Sequence, residues 1–185
     1  LANVRPPFWL GHDKDFLYKP RGFNSIEEHD EAIIQNWNEL VSPDDTVFCL
    51  GDCMLNDNEG GCRKLNQLAG NIRIIYGNHD SANRIQMYSN IRPTILGVGF
   101  AYVLKYQGYS FYLSHYPTLC SNYDDDKPLK ARTVSICGHS HTKDKFKDMD
   151  KGLIFHVELD TNNNKPWLLD DIITELKNYL NKTNN

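Results

Sequence analysis

Four times along this 185-residue chain an apolar run stops and hands over to His, Asp or Asn. Residues 46–50 lead into Gly51-Asp52, and 72–76 into Gly77-Asn78-His79-Asp80. Residues 109–113 lead into Ser114-His115-Tyr116-Pro117, and 133–137 into Gly138-His139-Ser140-His141. Short apolar runs bounded by turn residues predict buried strands. In α/β sheets the carboxyl ends of strands are where sites assemble. Four such endings, each releasing a metal-ligand type of side chain, predict one metal centre collected from distant parts of the chain.

Between these runs the pattern alternates. Ser25 to Glu28 has the form of a capping box, and Ile26, Ile33, Ile34, Trp37, Leu40 and Val41 follow at helical spacing up to Ser42-Pro43. Further helices are predicted over 60–69, 81–89 and 168–180. After Pro93 the texture becomes antiparallel: 101–106 and 109–115 alternate around Gln107-Gly108, a hairpin signal. Residues 121–132 read as a polar loop, 142–152 as a charged loop, and 153–159 as a strand. Helices alternating with strands early and paired strands late predict a mixed-sheet α/β fold in a single domain covering 1–185.

Composition narrows the function classes. A net charge of −4 argues against broad nucleic-acid binding, which needs a basic field. It leaves room for a small anionic substrate, because a metal supplies positive charge locally. No apolar run approaches a bilayer span, and residues 1–10 do not read as a signal peptide, so no membrane partner is expected. Cys49, Cys53, Cys62, Cys120 and Cys137 are odd in number and irregular in spacing, which argues against a disulfide framework. Cys49 and Cys137, inside apolar runs, read as packing residues. A reducing cytoplasm is the expected setting.

Hydrolysis of a phosphate ester needs a nucleophile at neutral pH, neutralisation of phosphoryl charge and help for the leaving oxygen. Two cations a few ångströms apart meet the first two needs. Asp52 is the natural bridging carboxylate, and Asn78, His115, His139 and His141 are the natural terminal ligands. Imidazole and amide ligands suit Mn, Fe or Zn. If the chain turns at 138–141, His139 and His141 diverge towards two ions. Gly51, Gly77 and Gly138 allow sharp turns at a crowded site. His79 is placed to protonate a leaving group, and Asp80 to accept its other ring proton.

Taken in order, Gly51-Asp52, Gly77 to Asp80, Ser114-His115 and Gly138 to His141 resemble the motifs of the calcineurin-like metallophosphoesterase superfamily. The stretch 21–51 is similar to its small bacterial and phage-type branch. The resemblance implies a four-layer α/β/β/α sandwich of mixed sheets with two divalent metal ions at the strand ends. It implies Asp52 as the bridge, with Asn78, His115 and His139 on one ion and His141 on the other, and His79 as the catalytic histidine. It also implies a small phosphomono- or phosphodiester substrate, attacked by metal-activated hydroxide.

One departure from that pattern stands out. The family's first strand ends in Asp-x-His, and counting back from Gly11-His12 puts Pro7 and Trp9 at those positions. The run 4–7 reads as a poor central strand because proline donates nothing to a ladder. Three explanations stay open: a truncated or altered N-terminus; one firm and one weak cation, with His12 or Asp13 substituting; or a catalytically impaired member acting as a metal-binding or protein-interaction module. Elsewhere the plainer readings are preferred. His29 is a solvated or helix-packing residue, and His156 belongs to the core or supports a ligand. The carboxylates at 124–126 and the mixed charges of Lys143 to Lys151 are solvated. Tyr102, Tyr106, Tyr109, Phe111 and Tyr112 serve sheet packing rather than a substrate wall.

Overall fold

The apolar runs pair into two sheets in the computed structural model, which describes residues 2–5, 10–120 and 127–183. The first sheet contains β1 (Ala2–Arg5), β2 (Thr46–Cys49), β3 (Asn71–Ile75), β4 (Ile95–Gly99) and β9 (Trp167–Leu168), in the order β4-β3-β2-β1-β9. Its strands β1 to β4 run parallel, and β9 closes the edge antiparallel to β1. The second sheet has the order β5-β6-β7-β8, from β5 (Ala101–Tyr106), β6 (Tyr109–Ser114), β7 (Thr133–Cys137) and β8 (Ile154–His156). Here β5 and β6 form the expected hairpin, while β6, β7 and β8 are parallel.

Alternation along each strand divides its side chains between two cores. Val47, Cys49, Ile72 and Ile74 face the helices that follow the single turn α1 (Asp15–Tyr18), namely α2 (Ile26–Leu40), α3 (Asn58–Asn66) and α4 (Ala82–Ile91), where Ile33, Trp37, Leu65 and Tyr88 complete one cluster. Phe48 and Val4 face the other way and meet Phe111, Leu113, Val134, Ile136 and Phe155 of the second sheet. The last helix, α5 (Leu169–Thr183), adds Leu169, Ile172, Ile173 and Leu176 to this inter-sheet core. The mixed-sheet α/β sandwich expected from the sequence is therefore observed. Ser25 caps α2 by accepting the Glu28 amide at 3.2 Å, and Glu28 returns to the Asn24 amide at 2.8 Å.

Three readings change. The run 4–7 was expected to make a poor central strand, yet β1 sits between β2 and β9. It ends at Arg5, and Pro6 and Pro7 lie outside the described residues. Strand β4 was missed, because Pro93, Gly97 and Gly99 disguise it. The strand expected over 153–159 shortens to Ile154–His156, since Leu159–Thr161 forms a 3-10 turn. Positions Pro7, Trp9 and 124–126 lie outside the described residues.

Arg92 sets the height of β3. Its guanidinium donates to the Asn66 carbonyl at 2.7 Å, to the Leu68 and Gly70 carbonyls, and to Thr94 Oγ1 at 2.7 Å. It thus ties the end of α3 to the entries of β3 and β4. The Arg92→Ala variant is expected to lose about 1.5–3 kcal/mol of stability in urea unfolding. A loss below about 0.5 kcal/mol, the range of an ordinary surface change, contradicts this role.

Candidate metal centre

Because β2 and β3 are parallel, as are β6 and β7, their carboxyl ends share one edge of the sandwich. Turns at those ends deliver the polar side chains. Asp52, His139 and His141 all have left-handed backbone, with φ of 47°, 74° and 48°. Non-glycine residues rarely adopt this conformation, and it costs on the order of 1–2 kcal/mol each. Two glycines make the approach possible. A Cβ on Gly51 (φ 82°) would lie 2.4 Å from the Gly77 nitrogen, and one on Gly77 would lie 2.3 Å from Asp52 Oδ1.

The side chains converge on one atom. His115 Nε2 lies 3.2 Å from Asp52 Oδ2, 2.8 Å from Asn78 Oδ1 and 3.0 Å from His139 Nδ1. On its other side His115 Nδ1 donates to the Leu50 carbonyl at 2.7 Å, leaving Nε2 to face the cluster. Asp52 Oδ2 is buried and has no hydrogen bond among the described residues. A carboxylate, two imidazoles and an amide oxygen around one point fit a divalent cation. Asp52, His115 and His139 alone bring one ligand atom each to within 4.8 Å of the others.

Electrostatics fit the same use. Burial opposes ionisation of Asp52, but the His115 ring and the His79 amide hold its carboxyl below its ordinary value. Burial pulls His115 down, but Asp52 and the Leu50 carbonyl more than offset it and its pKa is raised. His139 is lowered by burial and by its neighbour His115, so it stays neutral and ready to ligate. The ring of Tyr116 stands edge-on to both imidazoles, 5.0 Å from His115 and 4.6 Å from His139.

His141 diverges from this group, as a turn at 138–141 requires. Desolvation lowers its pKa, Arg21 reinforces the lowering, and Glu158, Asp160 and Asp52 oppose it. His12 is lowered by burial and then by His79, Lys14 and His141, so the three imidazoles lie close enough to influence one another. The His12 segment is pinned beside Asp52: Leu55 donates to the Leu10 carbonyl at 2.9 Å, and Gly11 donates to Asp30 Oδ2 at 2.8 Å. Asp30 also takes the Lys64 ammonium at 2.6 Å and His29 Nδ1 at 3.0 Å. His29 Nε2 in turn accepts from Arg21, whose fork grips Asp160 at 3.1 and 2.8 Å. His29 is thus a buried link in an ionic chain, and the solvated reading of it falls.

His79 is exposed at the rim, while its backbone amide donates to Asp52 Oδ1 at 2.8 Å. Asp80, expected to orient the His79 ring, is buried and makes different contacts. Its Oδ2 accepts the Gly77 amide at 2.7 Å and the Asp52 amide at 2.9 Å, and Oδ1 accepts the buried Tyr88 hydroxyl. Asp80 clips the β2 and β3 loops together. Burial raises its pKa in spite of these donors, and the Asp52 charge adds to the rise. Behind the other loop, Glu158 accepts the Ser140 amide at 2.8 Å, and His156 is held by Asp148 at 2.8 Å. Asp148 also takes Lys151 at 2.7 Å, so the 142–152 loop is partly a buried support and not wholly solvated. None of the five cysteines forms a disulfide among the described residues, and burial keeps the Cys53 thiol protonated beside Cys49. Tyr88, Glu158 and the Leu50 carbonyl carry no motif that sequence reasoning could have used.

The fold is an α/β sandwich that brings a carboxylate, an amide oxygen and two imidazoles together at its strand ends. The sequence profile of the calcineurin-like phosphoesterase superfamily domain matches residues 28–157, and the chain belongs to this superfamily. MJ1445, an uncharacterized protein of Methanocaldococcus jannaschii, is 31% identical over 169 residues, covering 89% of this chain and 84% of its own. The gene 66 protein of Mycobacterium phage L5 is 25% identical over 145 residues, 64% of this chain and 67% of its own. That relative accords with the small bacterial and phage-type branch. The crystal structure of AQ665 from Aquifex aeolicus, of unknown function, matches 94% of this chain and 97% of its own with a TM-score of 0.69 at 20% identity. The family implies divalent metal ions. No helix among the described residues is long and apolar enough to cross a membrane.

Two outcomes follow. A cation bound at His115 Nε2 would displace a proton that Asp52 holds more tightly than usual, so Mn affinity should rise with pH through and above the ordinary histidine range. Calorimetric titration measures this, and a pH-independent affinity contradicts the assignment. Asp80→Asn turns a donor towards the backbone amides and should cost about 1–3 kcal/mol in the metal-free protein, whereas His79→Ala should change stability by under about 0.5 kcal/mol. Equal stability of the two variants contradicts the clip.

Proposed function

We propose that this protein is a metal-dependent phosphoesterase that hydrolyses a small phosphomono- or phosphodiester. The observation that carries the reading is the convergence of Asp52 Oδ2, Asn78 Oδ1 and His139 Nδ1 on His115 Nε2. These four residues would hold the first cation, and the two imidazoles favour Mn, Fe or Zn over Mg. A second cation would fall to His141 and Asp52, with His12 as the replacement ligand on that side. The backbone before His12 is bonded to the loop after Asp52, with Leu10 donating to the Cys53 carbonyl at 3.3 Å and Leu55 to the Leu10 carbonyl at 2.9 Å, which supports this placement.

The bound cations supply Lewis acidity, charge neutralisation and hydroxide at neutral pH. The chain supplies the rest. Asp52 Oδ1 anchors the His79 amide and the His79 side chain is exposed, which supports a role for its ring beside a departing ester oxygen. There it can donate a proton, a contribution typically worth about 10²–10⁴ in rate. Asp80 and Glu158 hold the loops that carry Asp52, His139 and His141, so the ligands need little reorganisation.

A second reading, an impaired member that holds one cation and serves as an interaction module, draws on a specific observation. The three-residue cluster able to hold an ion comprises Asp52, His115 and His139, with His141 outside it. Elemental analysis after Mn loading separates the readings: two ions per chain support the enzyme, and one ion without turnover supports the module. For the enzyme, bis(p-nitrophenyl) phosphate is hydrolysed in Mn-containing buffer and EDTA abolishes the rate. His79→Ala and Asp52→Asn each lower the rate by about 10²-fold or more. Full activity in either variant contradicts the assignment.

A further inference from the structure

A cavity of about 360 Å³ opens directly off the candidate metal centre, sharing His115 and Asn78 with it. Tyr76, Phe100, Tyr112 and Tyr116 supply its walls. Its described lining includes no Lys, Arg, Asp or Glu, and no Leu, Ile, Val or Met. Such a wall offers flat π faces in place of the flexible aliphatic surface that would suit an acyl or alkyl chain. It also offers nothing to neutralise a second anionic group.

The walls are held in place. Tyr76 stands edge-on to Phe100 at 5.5 Å and 80°, with its hydroxyl seated where a side chain on Gly97 would be. The Tyr116 carbonyl accepts from Ser114 Oγ at 2.8 Å and Thr118 Oγ1 at 3.0 Å, which fixes the loop beyond β6. Phe100 nevertheless remains 71% exposed and Tyr116 48% exposed, so apolar ring surface beside a polar centre is left uncovered. The sequence reading placed the aromatics of 102–112 in sheet packing. Tyr109 and Phe111 are indeed core, but Tyr112 joins this wall with three rings from other loops.

We propose that this cavity is a base-binding subsite, and that the substrate is a nucleoside monophosphate whose neutral planar heteroaromatic base occupies it. The proposal rests on the phosphoesterase reading, because the cations would hold the phosphoryl group at the shared wall while the ring stacks on Phe100. The cavity is sized for one ring system, and the net charge of −4 disfavours a longer polyanion, so a mononucleotide is the occupant.

Adenosine 5′-monophosphate and ribose 5-phosphate isolate the ring, since they share sugar and phosphate. Their affinities for the Mn-loaded protein are measured by isothermal titration calorimetry. The nucleotide is expected to bind about tenfold tighter or more, from base stacking on aromatic side chains. Phe100→Ala should remove most of that advantage and Phe100→Trp restore it, with ribose 5-phosphate affinity within about twofold throughout. Equal affinities in the unmodified protein, no binding of either ligand, or parallel losses for both in Phe100→Ala overturn the subsite. Turnover of bis(p-nitrophenyl) phosphate, measured alongside, separates the two claims. Hydrolysis without ring discrimination overturns the subsite alone, and ring discrimination without hydrolysis overturns the hydrolytic reading alone.

Discussion

The site depends on one hydrogen bond, from His115 Nδ1 to the carbonyl of Leu50. It crosses from the second sheet to the first and selects the imidazole tautomer. With Nδ1 occupied, Nε2 faces Asp52, Asn78 and His139, and the Asp52 and Asn78 oxygens present lone pairs to it. A proton or a cation at that point satisfies those oxygens. Asp52 and the Leu50 carbonyl raise the pKa of His115 against the pull of burial, so a cation at that point would compete with a proton.

The surroundings keep this arrangement from relaxing. Left-handed backbone at Asp52, His139 and His141 is unfavourable, and each residue is retained by its neighbours. Asp80 draws together the amides of Gly77 and Asp52, and Tyr88 holds Asp80 from the helical layer. Glu158 holds Ser140 between the two histidines. Strain at a site, balanced by buried polar contacts beneath it, is how a fold keeps ligands ready before any ligand arrives.

Much of this was legible in the sequence. Buried parallel strands read as continuous apolar runs, so β2, β3 and β7 were plain, and the polar residues just beyond them include Asp52, Asn78 and His139, which converge on His115. Chemistry carried by long-range pairing was not legible. Asp80 sits beside His79 in sequence, which suggested a pair, but its buried carboxylate serves amides from two different loops. His29 lies on an amphipathic helix and reads as ordinary, because its partner Arg21 matters only once Asp160 folds over it. Strand β4 failed for a local reason: its glycines lack the β-branched signature, and its pairing to β3 supplies the structure instead. The cavity wall draws Tyr76, Phe100, Tyr112 and Tyr116 from separate loops and strands, a grouping no spacing rule anticipates.

The most direct test of the account is anomalous diffraction from a crystal grown with Mn. It should place a peak about 2.0–2.3 Å from Asp52 Oδ2, Asn78 Oδ1, His115 Nε2 and His139 Nδ1. A crystal whose manganese lies elsewhere, with His115 Nε2 still bonded to its protein neighbours, would contradict it.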